Sequence, residues 1–258
     1  GPPEANRLTD PQTIPTPLTH TIVYTYDDLY RLTEADYSTG DSYAYDYDPV
    51  GNRLQQIING DTTDYLYDAA NRLEFLNGQA VYTFDANGNL LNSDTLTNTF
   101  DAANRLTSVE RSDTTLEPIY NGVGDRIGQT VGTTTTNFAL DVIGLPEVIY
   151  TSEGNTYLHL PGVIVAQDSL STRYLLSDGL GSIRQASDEA GQVVSYHAFD
   201  PYGNPVTSHV PRPTSYAFTG EWWEQDLGLL HLRARRYAPE TGTFLSRDPV
   251  ESEPPYQY

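Results

Sequence analysis

The chain contains no cysteine, no methionine and no lysine among its 258 residues. Without cysteine it has no disulfide, no thiolate nucleophile and no cysteine zinc site. All 14 basic residues are arginine, and 35 acidic residues leave a net charge of −21. Phosphate backbones and anionic lipids repel so acidic a surface, so we expect no nucleic acid partner. No apolar run reaches the roughly 18 residues needed to cross a bilayer, which predicts no membrane insertion.

The sequence also has few residues that would carry catalysis or hold a cofactor. Its five histidines, at positions 20, 159, 197, 209 and 231, show no pairing typical of zinc ligands, so we expect no metal and no cofactor. Asp85 to Asn89 resembles the start of a calcium loop, but Leu96 stands where a bidentate glutamate is needed, so we interpret it as a turn. Ser195 and His197 share one side of a predicted strand, yet no nucleophile elbow surrounds any serine. We therefore expect no enzymatic activity.

What the chain does have is a repeat, in which an aromatic residue and Asp recur every 16 to 21 residues. Arg-Leu or an equivalent pair follows four or five residues after the Asp, and Tyr120-Asn121 begins a sixth, weaker copy. A unit of this length holds about one β-hairpin. The residues that we assign to the repeat are Tyr26, Asp27, Tyr47, Asp48, Arg53, Tyr67, Asp68, Asn71, Arg72, Phe84, Asp85, Phe100, Asp101, Asn104 and Arg105.

Each copy predicts a strand, a tight turn and a second strand. Tyr43, Tyr45 and Tyr47 alternate with polar or small residues, which places the three rings on one face of a sheet. The Asp ends the strand and accepts backbone N–H groups of the turn, and the Asn or Gly that follows tolerates positive φ. Asp and Arg then lie on either side of one turn, where a partly shielded pair could form, and we interpret the Arg as structural. Stacked hairpins of this kind predict an all-β, curved and spiralling sheet.

From about residue 138 the repeat gives way to other motifs, including Ser177 to Arg184, Phe199 to Pro205 and Leu229 to Pro249. These motifs resemble the RHS-associated core that follows YD repeats in RHS and YD-repeat proteins, a family of toxin-complex shell proteins, polymorphic toxins and teneurins. We divide the chain into hairpin repeats at 1–137, with a truncated first copy at Glu4 to Leu8, and an RHS-associated core region at 138–258. The truncated copy, the missing methionine and the leading Gly1-Pro2 are typical of a piece cut from a longer chain.

The resemblance implies a function as well as a fold. In that family the hairpins form a hollow β shell, the core closes one end, and in many bacterial members the core cuts off the C-terminal toxin that the shell encloses. The implied protein is bacterial, secreted or on the cell surface, with a toxin or other polypeptide as its partner. Arg247 and Asp248 match an Arg-Asp pair of the family's self-cleavage site, but the sequence ends before the second Asp-Pro segment. We therefore expect no cleavage. We interpret Arg247 and Asp248 as an ion pair that closes a sheet.

Two other functions stay open on the sequence: a surface adhesion or carbohydrate-binding module with exposed Tyr and Trp rings, and an inactive part of a self-cleaving protease. Trp222 and Trp223 are adjacent in a predicted strand, so one indole is expected at the surface or over a sheet edge, although core packing is the favoured interpretation. The terminal strands of an open sheet would also tend to pair edge to edge with neighbouring chains.

Overall fold

The computed structural model describes residues 21–208 and 215–249, which form 25 β-strands and one short 3-10 turn at Phe218–Gly220. The prediction of an all-β fold of stacked hairpins is confirmed, because every sheet pairing is antiparallel and joins strands that follow each other in sequence. The truncated copy at Glu4 to Leu8 lies outside the described residues. Within the described ranges, no helix has the length and apolar character to cross a bilayer.

The first sheet has seven strands and covers the first part of the repeat region. Its strands are β1 Ile22–Tyr26, β2 Leu32–Tyr37, β3 Ser42–Tyr47, β4 Arg53–Ile58, β5 Asp61–Tyr67, β6 Leu73–Leu76 and β7 Gln79–Ala80. Side chains alternate between the two faces, as the tyrosine pattern predicts. In β3, for example, Tyr43 and Tyr45 are buried while Ser42 and Asp46 are exposed.

The second sheet has 14 strands and begins after a short interruption at Val81 and Tyr82. Its strands are β8 Thr83–Phe84, β9 Leu90–Asn92, β10 Thr97–Phe100, β11 Leu106–Arg111, β12 Thr114–Tyr120, β13 Arg126–Val131, β14 Thr134–Asp141, β15 Glu147–Thr151, β16 Thr156–Leu160, β17 Val163–Gln167, β18 Thr172–Ser177, β19 Ile183–Ser187, β20 Val193–Phe199 and β21 Pro205–Ser208. The proposed domain limit at 137/138 falls inside β14, which pairs continuously with its neighbours on both sides. That division stays a prediction.

The last described strands form a separate sheet of four, which we call the inner sheet. It consists of β22 Trp222–Glu224, β23 Leu229–Leu232, β24 Arg235–Ala238 and β25 Thr243–Phe244. We call the 21 strands before it the wall. The buried face of the wall packs against the inner sheet, for instance where Leu106 and Leu116 meet Leu229 and Leu245 in one apolar cluster.

The wall is curved, so that strands near its two ends, such as β2 and β20, are neighbours. The Tyr37 hydroxyl donates a hydrogen bond of 2.9 Å to the carbonyl of Phe199, 162 residues further along the chain. The hydroxyls of Tyr47 and Tyr202 lie 2.8 Å apart. The strand ladder itself stays open, because within the described residues β1 and β21 each pair with a single strand.

Candidate functional site

The repeat Asp residues close the turns of the wall with their carboxylates. In the copy at Asp101, Oδ1 accepts the backbone N–H of Ala103 at 2.9 Å and of Arg105 at 3.0 Å. Asn104 adopts a φ of 60°, the left-handed conformation that Asn tolerates better than most residues. The same pair of bonds to Oδ1 recurs at Asp27, Asp48, Asp68 and Asp85. One side chain therefore fixes the shape of each turn.

The second carboxylate oxygen of these residues accepts a side-chain N–H from the residue four positions later. Three turns use an arginine Nε, namely Arg31 at 2.6 Å, Arg72 at 2.7 Å and Arg105 at 2.8 Å. Two turns use an asparagine Nδ2, Asn52 and Asn89, both at 2.8 Å. Burial raises the pKa of Asp101, but the hydrogen bonds from Arg105 and Ala103 outweigh it and leave the pKa below its usual value. The carboxylate is therefore ionised in the folded turn.

Each arginine of these half-exposed pairs also stacks on the aromatic residue of the next copy. The guanidinium carbon lies 5.0 Å from the Tyr47 ring centre in the case of Arg31, 5.2 Å from Phe84 in the case of Arg72, and 5.3 Å from Tyr120 in the case of Arg105. Cation–π contacts of this length are favourable. The aromatic, Asp and Arg positions of the repeat thus connect neighbouring hairpins along the outside of one edge of the wall.

An arginine five residues after the turn residue behaves differently. Arg53 and Arg126 follow Asp48 and Asn121 at this spacing, and each is only 4% exposed. Successive side chains of a strand point to opposite faces, so one extra residue moves the guanidinium from the outer edge to the inner face. Among the described residues Arg53 has no ion pair, and the carboxylate of Asp48 is bonded by Asn52 instead. The interpretation of a shared Asp–Arg turn therefore applies to the spacing of four and not to the spacing of five. At a spacing of six, Arg184 Nε again donates to Asp178 at 2.7 Å.

Arg53 joins the wall to the inner sheet. Its guanidinium carbon lies 4.4 Å from the Tyr65 ring centre and 4.3 Å from that of Tyr202, and its Nη2 donates to the Thr241 carbonyl at 2.6 Å. The turn approaches so closely that a Cβ on Gly242 would lie 2.7 Å from the Tyr202 ring. The buried cation is held by π faces and a carbonyl oxygen, and this arrangement ties β4 to the turn between β24 and β25.

Arg126 makes the second connection, through a buried ion pair with Glu224 of β22. Gln129 completes the group, because its Oε1 accepts from Arg126 and its Nε2 donates to Glu224 at 3.0 Å. The guanidinium carbon lies 4.9 Å from the Phe138 ring centre. Burial lowers the pKa of Arg126 to about 10, against the opposing effect of Glu224, so the guanidinium stays charged at neutral pH.

Both indoles of the Trp222-Trp223 pair are buried, which corrects the expectation that one is exposed or covers a sheet edge. The two rings do face opposite sides of β22, but the inner sheet is covered on both faces. Trp222 packs with Phe138 of the wall, while Trp223 packs with Phe199 and Leu230. The favoured interpretation as core residues is thus the one that the structure supports.

Arg247 and Asp248, the candidate remnant of a cleavage site, lie just after the inner sheet. The carboxylate of Asp248 forms an ion pair of 3.0 Å with Arg235 of β24, and the guanidinium of Arg235 lies 3.6 Å from the Phe244 ring centre. Arg247 is exposed. Any role of this pair in cleavage stays a prediction. Among the described residues, no three His, Asp or Glu side chains are grouped so as to hold a metal ion.

Glu224, Gln129, Tyr202 and Thr241 make the connections between wall and inner sheet, and none of them is among the site residues predicted from the sequence. Their partners Arg53 and Arg126 both lie five residues after the turn residue, where the strand alternation points inward, so this spacing is enough to indicate that the two arginines are buried. The inward direction predicts a buried partner. It does not identify that partner, because Thr241 is 188 residues away from Arg53.

The chain matches the family model described as Teneurin YD-shell over residues 6–253. It belongs to the teneurin YD-shell family. This YD-shell chain is 28% identical over 241 residues to the tRNA nuclease WapA of Bacillus subtilis, a match that covers 87% of this chain and 10% of that protein. It is 32% identical over 74 residues to the toxin protein Tse5 of Pseudomonas aeruginosa, which covers 29% of this chain and 6% of Tse5.

Among solved structures, the crystal structure of TcdB2-TccC3 is similar to the YD-shell chain with a TM-score of 0.48 and 17% identity, over 90% of this chain and 18% of that one. The YD-shell chain spans only about a tenth of the length of the WapA proteins that it matches. The suspected relation to RHS and YD-repeat proteins is confirmed by the family match.

Proposed function

We propose that this YD-shell chain is a structural end piece, which closes one end of a longer shell that encloses or presents a toxin or other polypeptide. The observation that carries the proposal is the inner sheet. Both of its faces are covered, and side chains such as Arg53 and Arg126 bind it to strands far apart in the wall. A sheet that packs against the inside of the curved wall suits a closed and braced end.

The relatives support a role next to a toxin without giving this chain a reaction. The WapA proteins are named as nucleases and Tse5 as a toxin, and this chain covers a tenth or less of each. We propose that the chain performs no reaction itself, and that it works outside a bacterial cell or on its surface. Its net charge of −21 supports a polypeptide partner over nucleic acid.

The outer edge of β1, which pairs with no strand among the described residues, is a second place for association. Val23 and Tyr26 on this strand are 59% and 54% exposed. An exposed strand edge can pair with another chain. We propose edge-to-edge contact there as a minor property, which sedimentation of the chain at increasing concentration would test. The carbohydrate-binding alternative loses the tryptophans on which it relied, because both are buried.

The test uses the complete protein that contains this chain. Limited proteolysis with mass spectrometry should show the toxin-bearing segment protected in the intact protein and digested when that segment is produced alone. An Arg126→Ala substitution, which breaks a buried connection to the inner sheet, should expose the segment, whereas Arg105→Ala on the outer edge should not. Equal digestion of the segment in the intact protein and alone would refute the proposal.

A further inference from the structure

Four exposed apolar side chains lie on two neighbouring turns at one edge of the wall. They are Val123, in the turn after β12, and Val142, Ile143 and Leu145, in the turn after β14, and each is between 64% and 91% exposed. β13 and β14 are antiparallel partners, so the start of one strand and the end of the other bring these turns together. We call the four residues the apolar edge patch.

The turns themselves do not require large apolar side chains. Val123 and Ile143 each donate the backbone N–H to Oδ1 of the residue two positions earlier, at 3.0 and 2.8 Å. Ala70 and Ala103 occupy the same position in their turns and make the same bond. At the opposite edge of the wall, the described turns expose a single large apolar side chain, Leu170. An apolar group that turn formation does not explain indicates a surface for interaction.

A groove leads from the apolar edge patch towards the inner sheet. It has a volume of about 260 Å³, and Val123 and Leu145 form its entrance. Leu140, Pro146 and Val148 line it further in. Pockets for whole organic ligands usually measure roughly 300 to 1,000 Å³, so this groove suits one or two side chains better than a complete small molecule.

The carboxylates of the groove outnumber the positive charges that face them. Asp125, Glu147 and Glu221 line it, and Arg233 is shared between Glu147 and Glu221. The imidazole of His159 lies 3.4 Å from Glu147 and carries a charge only when protonated. Burial raises the pKa of Glu221, and the nearby Glu147 adds to the rise, while Arg233 opposes it. The groove therefore has an excess of negative charge.

The other basic groups nearby leave that excess in place. Arg126 also lines the groove, but its buried ion pair with Glu224 already balances its charge. Burial lowers the pKa of His231 far below its usual value, so its imidazole is neutral at neutral pH. Arg236 is buried and does not line the groove. A cationic group is thus the favoured partner of this surface, and an anionic one is repelled.

We propose that the apolar edge patch and its groove bind a polypeptide segment that presents apolar side chains next to Lys or Arg. The apolar side chains rest on Val123 and Leu145, and the cation pairs with Glu147, whose side chain is 38% exposed. Anionic lipid is repelled by the same carboxylates. The surface lies on turns at the edge of the wall, so this interaction is additional to the shell function proposed above and does not depend on it.

Calorimetric titration of the chain with three blocked peptides tests the proposal: acetyl-Lys-Leu-Leu-Lys-amide, acetyl-Glu-Leu-Leu-Glu-amide and acetyl-Lys-Ser-Ser-Lys-amide. The first should bind at least about tenfold more tightly than either of the others, because it alone combines apolar burial with opposite charge. Equal affinity for the Glu peptide would overturn the cationic partner, and equal affinity for the Ser peptide would overturn the apolar contact. No binding of the first peptide at millimolar concentration would overturn both.

Flotation of the chain with phosphatidylcholine vesicles tests a lipid surface as the occupant. The chain should stay unbound, because the apolar edge patch is bordered by carboxylates that lose hydration at a bilayer. If the chain binds the vesicles and Val123→Ser abolishes that binding, the patch is a lipid-binding surface and the polypeptide is the wrong occupant.

Two matched valines test the apolar contact. Val50 holds the same turn position as Val123 and donates the same backbone bond, to Asp48 at 3.0 Å, but it does not line the groove. Val123→Ser should weaken binding of the Lys-Leu peptide by about tenfold, whereas Val50→Ser should change it by less than about twofold. Both side chains are exposed, so both variants should fold. Equal effects would overturn the assignment to this patch.

Two matched aspartates separate the local charge from the net charge of the whole chain. Asp125 lines the groove, whereas Asp113 is exposed in the turn after β11, at the opposite edge of the wall. Asp125→Asn should weaken binding of the Lys-Leu peptide by about threefold, the size expected for a partly exposed ion pair. Asp113→Asn removes the same charge and should leave the affinity within about 1.5-fold. Equal effects would show that the overall charge attracts the peptide and would overturn the site.

Discussion

The arginines at the outer edge of the wall and those on its inner face belong to the same repeat, yet they have different structural roles. Arg105 lies four residues after its Asp, pairs with it and is 38% exposed in its side chain. Arg126 lies five residues after Asn121, and its side chain is 1% exposed in an ion pair with the inner sheet. A single residue of spacing thus decides whether an arginine braces its own turn or connects distant parts of the chain.

The most severe way to break this distinction is to exchange Arg105 and Leu106. The exchange gives this copy the spacing of five and sends a guanidinium into the apolar cluster around Leu229 and Leu245. We expect the free energy of unfolding to fall by at least about 4 kcal/mol, because an unpaired buried charge is that costly. Urea denaturation measures it. If the exchange lowers the free energy of unfolding only as much as Arg105→Leu alone, the spacing does not decide to which face of the strand the arginine side chain points.

Removing one arginine from each group comes next. Arg126→Ala should lower the free energy of unfolding by about 3 to 5 kcal/mol, since it leaves Glu224 buried without its partner. Arg105→Ala should cost no more than about 1 kcal/mol, because exposed ion pairs contribute little. Urea unfolding of both variants gives the comparison. If Arg126→Ala and Arg105→Ala lower the free energy of unfolding by similar amounts, burial does not distinguish the inner arginines from the outer ones.

The backbone hydrogen bonds that Asp101 accepts can be distinguished from the effect of its negative charge. Asp101→Ala should cost about 1 to 2 kcal/mol, because two backbone N–H groups lose their acceptor. Asp101→Asn should cost about half as much, since an amide oxygen still accepts both bonds. Asn121 in the neighbouring copy already does so, with Val123 and Asp125 as donors. Thermal unfolding at pH 7 would rank the variants. If Asp101→Ala and Asp101→Asn lose equal stability, the charge of Asp101 and not its backbone hydrogen bonds stabilises the turn.

The acid dependence of stability should also differ between exposed and buried turns. The pKa values of Asp68, Asp85 and Asp101 are lowered in the folded chain, so their contribution is complete above the unfolded pKa of about 3.9 and is lost as the pH falls below it. Burial raises the pKa of Asp200 instead, despite its hydrogen bonds to Asn204, so its ionisation costs stability at neutral pH. Unfolding measured from pH 7 to 2 should become less acid-sensitive in Asp101→Asn. Asp200→Asn should not show that change.

The smallest effect concerns the hydrogen bonds between turns. The Oδ1 of Asn104 accepts from the side-chain amides of Asn87 at 3.0 Å and Asn89 at 2.9 Å. Asn104→Gly keeps the positive φ and removes these bonds, so it should cost about 0.5 to 1 kcal/mol. Asn104→Ala also strains the backbone and should cost about 1 kcal/mol more. Thermal unfolding of the two variants would compare them, and a larger loss in the Gly variant would contradict this account.

The sequence was enough to predict the strands and turns of the wall, because those depend on neighbouring residues. Tyr43 and Tyr45 alternate along one strand, and the bonds of Asp101 reach only as far as Arg105. The inner sheet was not predicted, since nothing local in Trp222 or Trp223 indicates that both faces of their strand are covered. The same limit applies to Glu224, whose partner Arg126 lies 98 residues earlier.

The position of the inner sheet at the end of the described chain has a consequence for how the molecule is made. Residues 21–208 leave the ribosome first, and the apolar face that they form is covered only when residues 222–245 follow. At about 5 to 20 residues per second, the wall stays uncovered for some seconds. Long-range contacts such as that between Arg53 and Thr241 then complete folding late and slowly. During that interval the nascent chain is at its most vulnerable to aggregation, so chaperone dependence should be highest when synthesis stops just before Trp222.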